Sequence, residues 1–264
     1  MTATRLDLGD LTVSLALDGR ADGPPVLFLH ALGTDLTLWD NVLPLLPDGP
    51  RYIRLDMRGH GASDCPPPPY AMGALIRDTE RAMELLGIRD AVVIGLSIGG
   101  MIAQGLAVKR LDLVRGLVLS NTAAKIATAE TWAARIDAVR RGGMAAVTDQ
   151  TIERWFSRAS RSSAAAQHWR DRLLAQDPQG WIGCAAAIAG TDFYTTTATL
   201  TLPTLALAGS EDGSTPADLV RETSALIRGS RFELLRGAGH LPPVDRPEAW
   251  AGAVSDFLSS IGQC

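Results

Sequence analysis

The chain has 264 residues, 46% of them hydrophobic, with 25 Lys plus Arg against 29 Asp plus Glu and a formal net charge of −4 at pH 7. That length suits one α/β domain carrying an insertion, and the near balance of charge, with no long run of one sign, gives neither a nucleic-acid footprint nor a polybasic membrane signal. The start MTATRLDLGDL has no apolar core of signal-peptide length and no segment approaches 18 uninterrupted apolar residues, so a soluble, cytoplasmic protein is expected.

The first predicted element is LTVSLALDG, residues 11–19, where apolar and polar residues alternate as in an antiparallel strand of a hairpin or near a sheet edge. PVLFLH (25–30), RYIRLD (51–56), AVVIG (91–95) and RGLVLSN (115–121) follow as short apolar runs bounded by Gly, Pro, Asp or Asn. Such runs suit strands buried on both faces, as in a parallel sheet. Helical patterns at 74–86 and 101–108 lie between them, so strand and helix alternate. The proline cluster 66–69 reads as a rigid loop. From 123 to 199 the segments are helix-like and alanine-rich, carry Trp132, Trp155, Trp169 and Trp181, and contain no convincing strand. Alternation then resumes with a strand at 203–209, a helix at 216–227, a strand at 231–237 and a closing helix at 247–259. This resumption predicts a core made of residues 1–122 and 200–264, with 123–199 inserted as a helical lid. The three cysteines, Cys65, Cys184 and Cys264, are far apart and lack metal-like Cys/His spacing. They read as free thiols, and no metal site is expected.

Between the strand at 91–95 and the helix after it, Gly95, Ser97 and Gly99 form the G-x-S-x-G pattern of a nucleophile elbow. The same glycines would also serve a turn that only brings helix and strand close together. In the elbow reading, Ser97 is the nucleophile and the Ile98 amide, at a helix N-terminus, faces a developing oxyanion. A serine needs a base, and the base needs an orienting carboxylate. Of the four histidines, His240 lies just past the last predicted strand, where catalytic groups of such sheets sit. Asp212 is the candidate acid, three residues beyond Gly209 at the end of the preceding strand, with Glu211 as its rival. The order Ser97, Asp212, His240 is that of the α/β-hydrolase fold. The loop HALGTDLTLW after strand 25–30 offers the Leu32 amide as the second oxyanion donor, with His30 holding the loop. His60, in DMRGHGASD, reads as structural.

Several of these stretches resemble one family, the 3-oxoadipate enol-lactonases of aromatic-compound degradation. They are HALGTDLTLWD, DMRGHGASD, GLSIGGMIAQGLA, LSNTAAKIATAETWAARIDAVRRGGM, ERWF, GWIGCAAAI and GHLPPVDRPEAW. The departures are Ala31, where the family often has a small polar residue, and LAVKRLDLV, where an Ala-Pro-Glu-like run is more usual. The resemblance implies hydrolysis of a small five-membered enol-lactone bearing an acetate side chain, to 3-oxoadipate, with no metal or organic cofactor. The acetate carboxylate suits an arginine. Arg135, three residues after Trp132, shares a helix face with it and is the first candidate, with Lys125, Arg58 and Arg154 as competitors. A cofactor-free perhydrolase, an esterase or a natural-product lactonase would use the same triad, and a ligand receptor could keep the fold without the chemistry. A dienelactone hydrolase fits poorly, because no cysteine occupies an elbow.

Overall fold

The computed structural model describes residues 4–264. It begins with β1 (Thr4–Asp7), β2 (Thr12–Gly19), β3 (Pro25–Leu29) and β4 (Arg51–Leu55), followed by α1 (Met72–Leu85), β5 (Ala91–Leu96), α2 (Ile98–Lys109) and β6 (Val114–Ser120). Five helices come next: α3 (Ala129–Gly142), α4 (Ala145–Trp155), α5 (Ala164–Ala175), α6 (Pro178–Ala189) and the short α7 (Tyr194–Thr197). The chain closes with β7 (Thr204–Gly209), α8 (Ala217–Leu226), β8 (Arg231–Leu235), the short α9 (Pro242–Asp245) and α10 (Pro247–Ser260).

Eight strands make one sheet in the order β1-β2-β4-β3-β5-β6-β7-β8. Pairing is antiparallel from β1 to β2 and from β2 to β4, and parallel elsewhere. β5 and β7 are buried at every position, as their unbroken apolar sequences require of strands covered on both faces. One strand is not foreseen by the sequence. β1 has the sequence TRLD with only Leu6 partly buried, so it carries no apolar repeat to betray it. It pairs with β2 and occupies the sheet edge, which places β2 one strand inward.

Apolar side chains of the sheet and of most helices form one large buried cluster, and α2 packs on β5 and β6 while α8 packs on β7. α2 begins at Ile98, directly from Ser97, three residues before its apolar pattern becomes legible, because Gly99 and Gly100 weaken a helix signal. Between β6 and β7 the chain is helical throughout its regular structure. α3 packs against α4 and α6, and α4 against α5. All four tryptophans of this segment are buried, so the small helices are held by their aromatic faces. Among the described residues no helix is long and apolar enough to cross a membrane.

Candidate active site

Ser97 joins β5 to α2 with φ 57° and ψ −119°, a left-handed backbone that a side chain rarely adopts. Such strain costs about 1–3 kcal/mol and persists only where the surroundings impose it. Here they do. The Ser97 amide donates to the Ser120 carbonyl at 3.1 Å, and the Ser97 carbonyl accepts from Thr122 Oγ1 at 2.6 Å. A Cβ on Gly95 would lie 2.3 Å from the Gly99 carbonyl oxygen, and one on Gly99 only 2.1 Å from that of Leu29. Both glycines are therefore required by close backbone approach at the turn, which the sequence pattern alone left open.

His240 and Asp212 sit on the loops that follow β8 and β7. His240 Nδ1 is 2.8 Å from Asp212 Oδ2, and both side chains are fully or almost fully buried. Asp212 Oδ2 also accepts from Asn121 Nδ2 at 2.8 Å and Thr215 Oγ1 at 2.7 Å, while Oδ1 takes the amides of Ser214 and Thr215 at 2.7 and 3.0 Å. Burial alone pushes this carboxyl upward, but His240 and the side-chain donors outweigh it and hold the group below the ordinary aspartate value. Acceptance of so many donors fixes Asp212 as an anion, which keeps the proton of His240 on Nδ1 and leaves Nε2 as the basic nitrogen. Glu211 is directed elsewhere: its carboxylate accepts the Arg158 amide at 3.0 Å. No hydrogen bond joins the Ser97 hydroxyl to His240 among the described residues, although both line one cavity.

The loop after β3 is pinned by two neutral imidazoles. His30 Nε2 accepts the Met57 amide at 3.0 Å, so its proton lies on Nδ1, which donates to the Ala31 carbonyl at 2.8 Å. His60 Nε2 accepts the Gly33 amide at 3.0 Å. Burial lowers the basicity of both histidines, bringing His60 down to about 3 with His30 adding to the effect. Leu32 is thereby held at the cavity wall, between fixed neighbours on either side. Neither its amide nor that of Ile98, the first residue of α2, has a hydrogen-bond partner among the described residues.

Leu32, Ser97 and His240 line one partly enclosed cavity. Its walls include Trp132, Trp155 and Trp181, along with Ile126 and Val147. Two half-buried arginines enter it, Arg135 from α3 and Arg154 from the last turn of α4. Arg135 stacks over the Trp132 ring at 4.7 Å, and Arg154 donates to Thr151 Oγ1 at 3.1 Å. Neither forms an ion pair among the described residues. Burial makes both guanidiniums easier to deprotonate, and Arg154, which also feels the charge of Arg135, is brought down to about 10. Two guanidiniums without a carboxylate partner among the described residues give the cavity a positive lining. The other basic candidates lie elsewhere. Arg58 makes a buried two-pronged pair with Asp78, at 2.5 and 2.6 Å, and Lys125 pairs with Asp192 at the surface.

The sequence profile described as the alpha/beta hydrolase fold matches residues 24–247. The chain is also 31% identical over 254 residues to 3-oxoadipate enol-lactonase 2 of Acinetobacter baylyi, covering 94% of each chain. It belongs to the 3-oxoadipate enol-lactonase family of the α/β-hydrolase fold. Among solved structures, the enol-lactonase from Burkholderia xenovorans LB400 superposes with a TM-score of 0.93 at 30% identity, covering 97% of this chain and 100% of that one. A hydrolase from Pseudomonas aeruginosa PA01 does so at 35% identity, with the same TM-score and coverage of 97% and 98%.

Beyond the site residues the sequence nominated, the structure brings Asn121 and Thr215 to Asp212, and of the competing basic residues it puts Arg154 in the cavity. Asn121, directly after β6, has a left-handed backbone, φ 48°, and reaches both Asp212 and the Gly239 carbonyl. Its sequence signals were a polar residue following an apolar strand and a place in the stretch beginning LSNTAAK. Thr215 had none apart from following Asp212 at the spacing of a turn. Among the described residues no group of three or more His, Cys, Asp or Glu is placed to hold a metal ion.

Proposed function

We propose that this site hydrolyses a small enol-lactone bearing a carboxylate, 3-oxoadipate enol-lactone, to 3-oxoadipate. Ser97 Oγ attacks the lactone carbonyl as His240 Nε2 takes its proton, and the Leu32 and Ile98 amides receive the oxyanion. Asp212 holds the imidazole in the required tautomer and stabilises the imidazolium. Collapse breaks the ring C–O bond and expels an enolate, which takes up the proton and reverts to a ketone. Loss of the nucleophilic enol disfavours reclosure. Water, deprotonated by His240, then frees the acyl group from Ser97.

The observation that carries this reading is the pair of unpaired arginines in the cavity that Ser97 lines. A pocket for neutral esters gains nothing by burying two cations, whereas a carboxylate offsets their desolvation. The family relationship to enol-lactonases supports the same substrate class. Arg135, stacked on Trp132, is positioned for the side-chain carboxylate. A charge-assisted hydrogen bond is worth about 1.5–3 kcal/mol, so Arg135→Gln should lose roughly tenfold to a hundredfold in kcat/KM on the acid and little on its side-chain methyl ester. Equal losses on both substrates would remove Arg135 from carboxylate recognition.

A further inference from the structure

Arg135 accounts for one carboxylate, which leaves the second buried guanidinium without a purpose. Arg154 differs from Arg135 in what its backbone is tied to. Its carbonyl accepts the Gly213 amide at 3.1 Å, next to Asp212, and the carbonyl of the following residue, Trp155, accepts the His240 amide at 2.7 Å. The end of α4 is thus clamped to both loops that carry the His–Asp pair, and Thr151 Oγ1 steadies the guanidinium from one turn earlier. The backbone at Arg154 therefore lies beside the His240 loop, and its side chain lines the cavity together with Arg135, which enters from α3 with Trp132. In any acyl transfer by such a pair the leaving oxygen must also face the histidine, because that is where its proton comes from.

We propose that Arg154 is a catalytic residue for leaving-group departure, its guanidinium pairing with the oxygen expelled from the tetrahedral intermediate while Arg135 holds the side-chain carboxylate. This rests on the lactonase reading above, and chemistry makes the two cations complementary to it. In the enol-lactone only two carbon atoms separate the ring oxygen from the carboxylate carbon, so carboxylate and nascent enolate are neighbouring negative centres. As the carbonyl re-forms, the electron pair of the breaking C–O bond passes to the ring oxygen, where Arg154 receives the charge. The proton taken from Ser97 then moves from His240 Nε2 to the enolate. A fixed cation at that oxygen lets departure run ahead of proton transfer.

The test uses neutral aryl acetates of increasingly basic phenols, from 4-nitrophenyl through phenyl to 4-methoxyphenyl acetate, so that the carboxylate subsite plays no part. Acylation rates would be measured for wild type, Arg154→Gln, Arg154→Lys and Arg135→Gln, with active sites counted by a serine-directed phosphonate. Arg154→Gln should barely slow the 4-nitrophenyl ester but slow the 4-methoxyphenyl ester by about tenfold to a hundredfold. Arg154→Lys should restore part of that gradient, and Arg135→Gln should leave it as in wild type. An equal loss across the series in Arg154→Gln overturns the proposal and leaves Arg154 as a wall residue. A preference of the wild type for the side-chain methyl ester of the lactone would instead sink the carboxylate-substrate reading, a result independent of the aryl-ester gradient.

Discussion

Acidification tests the scaffold of the loop that carries Leu32. His60 is buried, accepts the Gly33 amide at Nε2, and titrates only near about 3, whereas a histidine in the unfolded chain titrates near 6.5. Its folded value is depressed, and the neutral form is the one the native state holds. The stability it confers is therefore complete above the unfolded value and is lost as pH falls from about 6.5 toward 3. Between about pH 7 and pH 4.5 the unfolded chain gains about three quarters of a proton here and the native protein almost none. At 1.36 kcal/mol per unit, that window removes roughly 2.5 kcal/mol. Urea unfolding of wild type and His60→Gln at both pH values isolates the effect, since the remaining titrating groups are common to both. At neutral pH the variant should be less stable by about 1–3 kcal/mol, for the Gly33 amide loses a well-placed acceptor. At pH 4.5 the gap should close by roughly 2.5 kcal/mol, to the point of vanishing or reversing. A gap that stayed constant with pH would refute the argument, because it would mean that native His60 takes up its proton as readily as the unfolded chain.

Other perturbations address the candidate catalytic centre. Ser97→Ala, His240→Ala and Asp212→Asn should each lower turnover by roughly 10^3-fold or more, with double variants losing hardly more than single ones, since the three act as a unit. Additive losses in steady-state kinetics would contradict this. Glu211→Gln should leave kcat within about twofold, as its carboxylate caps the Arg158 amide rather than facing His240; a collapse of activity there would reassign the acid. Gly99→Ala places a methyl group against the Leu29 carbonyl oxygen, and should cost about 1–3 kcal/mol of stability by chemical denaturation, together with phosphonate labelling of Ser97. Asn121→Ala strips one donor from Asp212 and should lower kcat with little change in KM; a change in KM alone would place Asn121 in substrate binding instead.

The parallel strands and the turn at Ser97 were legible because each leaves a local trace: short, mostly apolar runs bounded by turn residues for β3 to β7, and small residues around one serine at a strand end. The pairing of His240 with Asp212 was legible because chain order, added to their position after strands, nominated them together as candidates. β1 was not, since four mostly exposed residues at an edge need no apolar pattern. The basic residues show the limit most clearly. Arg58 looked as available as Arg154 in the sequence, yet it is bound to Asp78 from α1, twenty residues away. Arg154 sits in an ordinary amphipathic helix, and only tertiary contacts to the loops of Asp212 and His240 turn it toward the cavity. Pairing between distant side chains decides which cation is spare, and no spacing rule encodes it.

The central claim is that a carboxylate-bearing enol-lactone is the substrate, recognised by buried positive charge beside Ser97. Its most direct measurement is kcat/KM of the wild-type protein on 3-oxoadipate enol-lactone and on the side-chain methyl ester of the same lactone, two substrates with one reacting ring. The arginine-lined cavity predicts that the acid is preferred by about tenfold to a hundredfold. A protein that turned over the ester equally well or faster would contradict the claim.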